Sequence, residues 1–219
     1  MHLPNGAKVF VESKRDAEIA FTKMTNAAAN PVVTVSDTSK IAAKDIFIIT
    51  ASAWSGVVNK VVRIKSVDAT AKTATLEELD TSDLNLFPAG GAGSFAKVSG
   101  WSEIPCVQDL GKEGGEQQYY TYQCLADEEE QSEPTYKSAT TLTYNFAHDF
   151  TNPIYATLRA ADKAKEAKAF YMYVPRAKEN RYWSGVPSFD DIPSTAVNEM
   201  ETVLLSIAVK GRHVFLPAS

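Results

Sequence analysis

The chain has 219 residues, of which 44% are hydrophobic, and it carries a formal net charge of −5. This length and apolar content are sufficient for a buried core, which excludes a largely disordered chain. The negative net charge argues against a protein that grips nucleic acid through a basic face. Because no apolar run is long enough to span a membrane and Met1–Gly6 lacks signal-peptide character, we expect a soluble protein made in the cytoplasm.

Alternation of apolar and polar residues with a period of two recurs along the chain and predicts a mainly β protein. A short strand is predicted at Lys8–Glu12. Residues 26–98 carry seven basic and seven acidic residues and contain a series of short strands separated by turns. These strands are predicted at Val32–Val35, Ile46–Thr50, Val57–Val67, Ala74–Leu79 and Phe95–Val98. We therefore expect 26–98 to form a small β-barrel-like domain inserted into a larger β-domain made of 1–25 and 99–219.

The next segment, 103–133, is strongly acidic, with nine carboxylates against the single cation Lys112. Five of the acids are concentrated near its end, at Asp127, Glu128, Glu129, Glu130 and Glu133. An EF-hand loop needs ligands at alternate positions and a glycine at its sharp turn, and this run offers neither, so no metal is expected. Consecutive carboxylates repel one another and hydrate strongly, so a solvated, mobile loop between strands is predicted.

Two further elements follow the acidic segment. In the predicted strand Ala139–Ala147, the apolar side chains of Leu142, Tyr144 and Phe146 point to one face. The small polar residues on the opposite face are Thr141, Thr143 and Asn145. An N-cap asparagine, a first-turn proline and apolar residues at helical spacing then predict one amphipathic helix at about 153–168 that flanks the β-structure.

The last third of the chain is partly basic, because 159–181 holds seven cations against three acids. The candidate contact residues in this basic region are Arg159, Lys163, Lys168, Arg176, Lys178 and Arg181. Alternation with a period of two predicts further strands around Phe170–Val174 and Val203–Val209. An acidic and a basic segment in one chain are self-complementary, which favours contacts between copies.

Signals for catalysis are scarce. The chain has three histidines and no Gly-x-Ser-x-Gly elbow, so neither an enzyme nor a cofactor is predicted. Cys106 and Cys124 are expected to be ordinary buried thiols. Two alternatives stay open at this point: a carbohydrate-binding β-sandwich using tryptophan side chains, and a glycosidase whose carboxylates come from distant strands. The tryptophans are Trp54, Trp101 and Trp183.

In the order of these elements the sequence resembles the major tail tube protein of long-tailed, non-contractile, lambda-like bacteriophages. The resemblance covers Pro4–Glu12 at the start of the chain and the segment from Gly100 through the acidic run to Lys137. It continues through the predicted strand at 140–146 and the helix. After the helix it includes a strand at Ala169–Pro175, a bend at Tyr182–Pro187 and the closing strand Glu199–Lys210 with Gly211. The inserted β-segment resembles small modules that many relatives carry.

The resemblance implies a fold of two packed β-sheets with one flanking helix. It also implies a structural role, in which hexameric rings stack into a hollow tail within the virion. DNA would pass through the lumen without specific binding, and the implied protein partners are other copies of the chain, a tape measure protein and tail terminator and initiator proteins. The acidic run and the basic region are the expected contacts between copies, and Thr141, Thr143 and Asn145 are the expected lumen residues.

Overall fold

A computed structural model describes residues 4–218 and confirms a mainly β fold with a single α-helix, α1 (Ile154–Ala164). The first seven strands are β1 (Lys8–Arg15), β2 (Ile19–Met24), β3 (Val32–Val35), β4 (Ile46–Ser52), β5 (Val61–Asp68), β6 (Thr73–Glu77) and β7 (Gly93–Ile104). The remaining strands are β8 (Val107–Glu113), β9 (Gln117–Tyr122), β10 (Gln131–Lys137), β11 (Thr141–Ala147), β12 (Lys168–Val174), β13 (Glu179–Ser194) and β14 (Thr202–Pro217). Short 3-10 helices lie at Ser55–Val57 and Pro175–Ala177. Within 4–218, no helix has the length and apolar character needed to cross a membrane.

Six strands close into a small barrel in the order β2-β3-β6-β5-β4-β7, because β2 pairs with β7 as well as with β3. The barrel encloses its own apolar core, which includes Phe47, Ile64 and Phe95. Phe21 and Met24 of β2 pack in the same core although they precede residue 26. The division into an inserted and an outer domain stays a prediction, and this packing favours a start near residue 19.

The other strands form two packed layers. The first layer contains the second half of β7, then β1, β12, the first half of β13 and the second half of β14. The second layer contains the second half of β13, the first half of β14, then β11 and β8. Strands β13 and β14 are each 16 residues long, so they continue from one layer into the other. Tyr182–Pro187, predicted as a bend between two strands, lies instead in the bulged middle of β13. Strand β14 extends beyond its predicted end at Lys210 to Pro217.

The core between these layers joins Phe170 and Trp183 of the first layer to Tyr144 and Leu205 of the second. The rings of Tyr144 and Trp183 stack with their centroids 6.3 Å apart. Helix α1 closes one side of this core with its apolar stripe, in which Ile154, Tyr155, Leu158 and Ala161 are buried. The two packed layers and the flanking helix agree with the fold predicted from the sequence.

The ends of α1 follow from backbone chemistry. The Asn152 side-chain oxygen accepts a hydrogen bond of 3.0 Å from the backbone N–H of Ile154, which satisfies a donor at the helix start. The helix ends earlier than the predicted residue 168, because Lys165 adopts a left-handed conformation with φ of 55°. Lys168 consequently lies in β12, opposite Gly185, and not on the helix.

A third apolar cluster holds the barrel against the first layer. Ile48 and Val61 of the barrel pack there with Ala169, Tyr182 and Leu216. Polar contacts reinforce the junction. Arg63 donates a hydrogen bond of 2.9 Å to the backbone oxygen of Pro217 and pairs with Glu77 at 2.7 Å, and the Ser184 hydroxyl donates to the backbone oxygen of Asn59. The hydrogen bonds from Arg63 lower the pKa of the Glu77 carboxyl.

Candidate assembly surfaces

Strands β9 and β10 form an antiparallel hairpin that pairs with no other strand of the described chain. Most of its residues are exposed on both faces, including Tyr119 and Tyr120 at 62% each and Tyr136 at 69%. The hairpin follows Gly114 and Gly115, whose φ values are 74° and 82°. Glycine adopts such positive φ values without the steric strain that a side chain would cause. The sequence pattern did not predict these strands, since a ribbon exposed on both faces has no apolar alternation.

Four acids of the acidic run, Asp127–Glu130, lie at the tip of this hairpin between β9 and β10, and Glu133 lies in β10. A turn there is closed by a hydrogen bond of 3.0 Å from the Asp127 N–H to the Cys124 carbonyl. Leu125 is fully exposed beside the carboxylates. Asp127, Glu128, Glu129, Glu130 and Glu133 are all exposed, and within residues 4–218 none of them forms an ion pair. The tip therefore presents an apolar side chain next to concentrated negative charge.

The predicted basic region is divided over several elements. Arg159 on α1 pairs with Asp191 at 2.7 Å, and Arg181 on β13 pairs with Glu179 at 2.8 Å. Lys163 is exposed at the end of α1, whereas Lys168 is half-buried in β12. Arg176 and Lys178 are exposed in the turn between β12 and β13. Of the six, only Arg181 lies at the large cavity that opens between the two layers.

This cavity, which we call the mouth, has a volume of about 800 Å³. Its apolar floor includes the buried side chains of Leu142, Tyr144 and Trp183, and Phe215, which is 57% exposed, also lines it. The basic residues that line it are Lys112, Lys137, Arg181, Lys210 and Arg212, together with His213. No Asp or Glu is among the described residues that line it. Sequence analysis missed this cluster because its cations come from β8, β10, β13 and β14 and share no local spacing.

The environment of His213 reports the electrostatics of the mouth. Burial lowers the pKa of this imidazole, and the positive charges of Arg181 and Lys112 lower it further. The ring stacks on Trp183 with a centroid distance of 4.8 Å, and Arg181 lies 5.8 Å from the centroid of Phe215. The Trp183 Nε1 atom is buried with no hydrogen-bond partner in the described part of the chain. The described lining of the mouth is therefore positively charged, and the acid nearest to it in these contacts is Glu179, which pairs with Arg181 at 2.8 Å.

The face of the second layer that points away from the core has a different character, and we call it the polar face. Pairing of β8, β11, β14 and β13 places twelve residues there in three rows. These rows are Glu113–Thr141–Ala208–Val186, Gly111–Thr143–Ser206–Ser188 and Asp109–Asn145–Leu204–Asp190. Three of the twelve residues are acidic and none is basic. Thr141, Thr143 and Asn145 are half-buried at its centre.

Comparison with known families decides what kind of protein carries these surfaces. A family model described as phage tail tube protein, TTP, matches residues 52–218. The chain belongs to the phage tail tube protein family. The match covers well over half of the chain, from β4 of the barrel to the end of β14. No curated protein matches the chain significantly. The resemblance drawn from the sequence is thus confirmed at the level of the family.

The three tryptophans are packed against other residues of the fold. Trp54 and Trp183 are 2% and 1% exposed and belong to the cores of the barrel and of the two layers. Trp101 is half-buried and packs edge-on against Tyr171 at 4.8 Å. This burial argues against Trp54 and Trp183 as platforms for sugar stacking. In the part of the chain that the structure describes, no cluster of three or more His, Cys, Asp or Glu could hold a metal.

The expectation of buried thiols is wrong, because Cys106 and Cys124 are both exposed. Cys106 lies in the turn from β7 to β8, and Cys124 lies in the hairpin tip, outside both cores. We predict that both thiols of the native monomer react with a water-soluble disulfide reagent without denaturant. Absorbance of the released thiolate checks this. If either thiol reacted only after unfolding, the placement of that turn would be contradicted.

Proposed function

We propose that the protein forms hexameric rings that stack into the hollow tail of a bacteriophage, and that DNA leaves the capsid through the lumen. Family membership supports a structural tail tube role. The main structural observation that supports assembly of this chain is the exposed β9–β10 hairpin. An isolated two-stranded hairpin is at best marginally stable in water, and this one displays exposed tyrosines and Leu125 on a single projection. Such a projection is best explained as an arm that packs on another copy.

An open sheet edge supports repeated association in a ring. Strand β8 pairs with β11 on one side and with no described strand on the other, and its Leu110 is 45% exposed. An unpaired edge is an aggregation hazard unless it is covered. Addition of a strand from the next copy would cover it, and the same contact repeated around an axis closes the second layers into one barrel.

The polar face supports the proposed lumen. A channel for DNA should present few cations, because each contact with a phosphate adds affinity and hinders passage. Its three rows consist largely of small or polar residues, with Asp109, Glu113 and Asp190 as the charged ones. Thr141, Thr143 and Asn145 at the centre of the face are therefore our proposed lumen residues.

The remaining features of the proposal come from the resemblance. We place the protein in the virion tail after synthesis in the host cytoplasm. Its partners there would be further copies of itself, a tape measure protein and the terminator and initiator proteins that limit tube growth. DNA would traverse the tube without specific binding. This role requires no catalytic activity and no cofactor.

Purified protein tests the proposal directly. At increasing concentration, sedimentation and negative-stain electron microscopy should detect rings or tubes of uniform diameter. A protein that stayed monomeric at every concentration, and also in the presence of purified tail tips that start tube growth, would contradict the proposal.

A further inference from the structure

We propose that the mouth between the two layers receives the hairpin tip of a neighbouring copy, with Leu125 on the apolar floor and Asp127–Glu130 against the surrounding cations. The inference rests on the proposed tube and names a contact within it. Of the basic region predicted from the sequence, it retains only Arg181 as part of the receiving surface.

The mouth defines the chemistry of its occupant. Its floor of aromatic and aliphatic side chains favours an apolar group. Arg181 and Lys112 line the same cavity and both lower the pKa of His213, so positive charge is concentrated beside that floor. No acidic residue is among the described lining residues. An occupant that carries an apolar side chain next to carboxylates would complement both properties.

The hairpin tip has this composition within seven consecutive residues, Cys124–Glu130. Leu125 is fully exposed, and the four carboxylates of Asp127–Glu130 have no cationic partner within 4–218. Removal of Leu125 from water into the mouth would be favourable, and the carboxylates would orient the tip.

The occupant must come from another copy. Lys137, which pairs with Gln117 at the base of the hairpin, lines the mouth of its own chain. The far end of the ladder is the pair Tyr122 and Gln131. Five residue steps separate these pairs, so at the usual strand rise the tip lies about 17 Å along the hairpin from the end that lines its own mouth. The same contact made by successive copies is heterologous and extends without limit in a stack or closes in a ring.

The alternative receiving surface is less suited to this tip. Arg159 is already bound to Asp191 at 2.7 Å, and Arg181 of the mouth is likewise bound to Glu179 at 2.8 Å. The other cations of the mouth, Lys112, Lys137, Lys210 and Arg212, form no ion pair within residues 4–218. Lys163 and Lys178 are exposed and do not line the mouth, so they would meet the carboxylates without the apolar floor for Leu125. Pairs of exposed charges contribute little to stability or affinity on their own.

Cysteine cross-linking tests the contact itself. Cys106→Ser and Ala139→Cys together leave the native Cys124 at the tip and place one thiol in the lining of the mouth. Oxidation of tubes made from this variant should yield a ladder of disulfide-linked chains on a non-reducing gel. The matched control carries Cys106→Ser and Ala160→Cys, which places the second thiol on the exposed surface of α1, and it should yield no ladder. Tubes of the Ala139→Cys variant that give no ladder would overturn the proposal.

Charge exchange provides a second, independent test. Lys112→Glu with Lys137→Glu should lower the yield of sedimentable tubes about tenfold or more, because this contact recurs at every subunit. Combination of these changes with Asp127→Lys and Glu128→Lys should restore part of the yield. The matched control, Lys163→Glu with Lys178→Glu, should assemble like the wild type. Normal assembly of the mouth variant, or a block only in the control variant, would overturn the proposal.

These outcomes distinguish the inference from the proposed function. If the wild-type chain forms no tube under any condition, the proposed function fails. If the wild-type chain forms tubes and either the cross-link or the charge exchange fails to behave as expected, the proposed function stands and the mouth is not the receiving site.

Discussion

Replacement of Asp127, Glu128, Glu129 and Glu130 by lysine is expected to abolish tube formation and leave the monomer folded. All four side chains are exposed at the hairpin tip and contact neither apolar core. Their reversal therefore removes no buried contact from the monomer. In the assembly, each copy would present positive charge to the cations of the next copy, and like charges at an interface cost several kcal/mol by the usual order of magnitude.

Sedimentation and electron microscopy measure tube formation, while circular dichroism and thermal unfolding measure the fold of the monomer. A neutral variant, with Asp127→Asn and the three glutamates changed to glutamine, separates attraction from repulsion. It should assemble more weakly than the wild type and better than the reversed variant. Salt should weaken wild-type assembly, because exposed charges are screened within about 8 Å at physiological ionic strength. Normal tube length in the reversed variant would exclude a docking role for the tip.

The second large effect concerns the stability of the monomer. Glu12 of β1 is 3% exposed, and its carboxylate accepts two hydrogen bonds of 2.7 Å from Arg15 and one of 2.9 Å from the Ala169 N–H. Arg15 also donates to the Ala167 carbonyl at 2.8 Å. This cluster fastens the bulged end of β1 to the segment that joins α1 to β12. Glu12→Leu would leave the Arg15 charge and a buried N–H without their acceptor.

We expect Glu12→Leu to lower the free energy of unfolding by about 3 kcal/mol, at the low end of the range for removing one partner of a buried ion pair, because the Arg15 side chain is 21% exposed. Urea unfolding followed by circular dichroism measures the change. The matched control is the double variant Glu12→Leu with Arg15→Met, which removes both charges. It should lose less stability than the single variant, since no buried charge is left alone. A double variant that is as unstable as the single variant would show that the ion pair is not the cause.

The sequence allowed the β class, the core strand β11 and the start of α1 to be predicted, because each depends on a local pattern. Leu142, Tyr144 and Phe146 alternate along β11, and each is buried as the period of two requires. Asn152 and Pro153 marked the start of α1. The end of the helix was missed by a few residues, since Lys165 takes a left-handed conformation that no composition rule assigns to lysine.

The candidate surfaces were less predictable because they depend on contacts between distant segments. The acidic tip was evident in the sequence, but the strands that present it were not. Tyr119, Tyr120 and Tyr122 were the available signal, as tyrosine is common in strands. The mouth could not be predicted, since Lys112 and Arg181 approach His213 only after β8, β13 and β14 have paired.

Electron cryomicroscopy of tubes assembled from the wild-type chain tests the central claim most directly. We expect a hollow tube of stacked hexameric rings whose lumen is lined by the polar face, with Thr143 near the centre of each subunit's contribution. An assembly without a lumen, or a tube lined by a different face of the chain, would contradict the account.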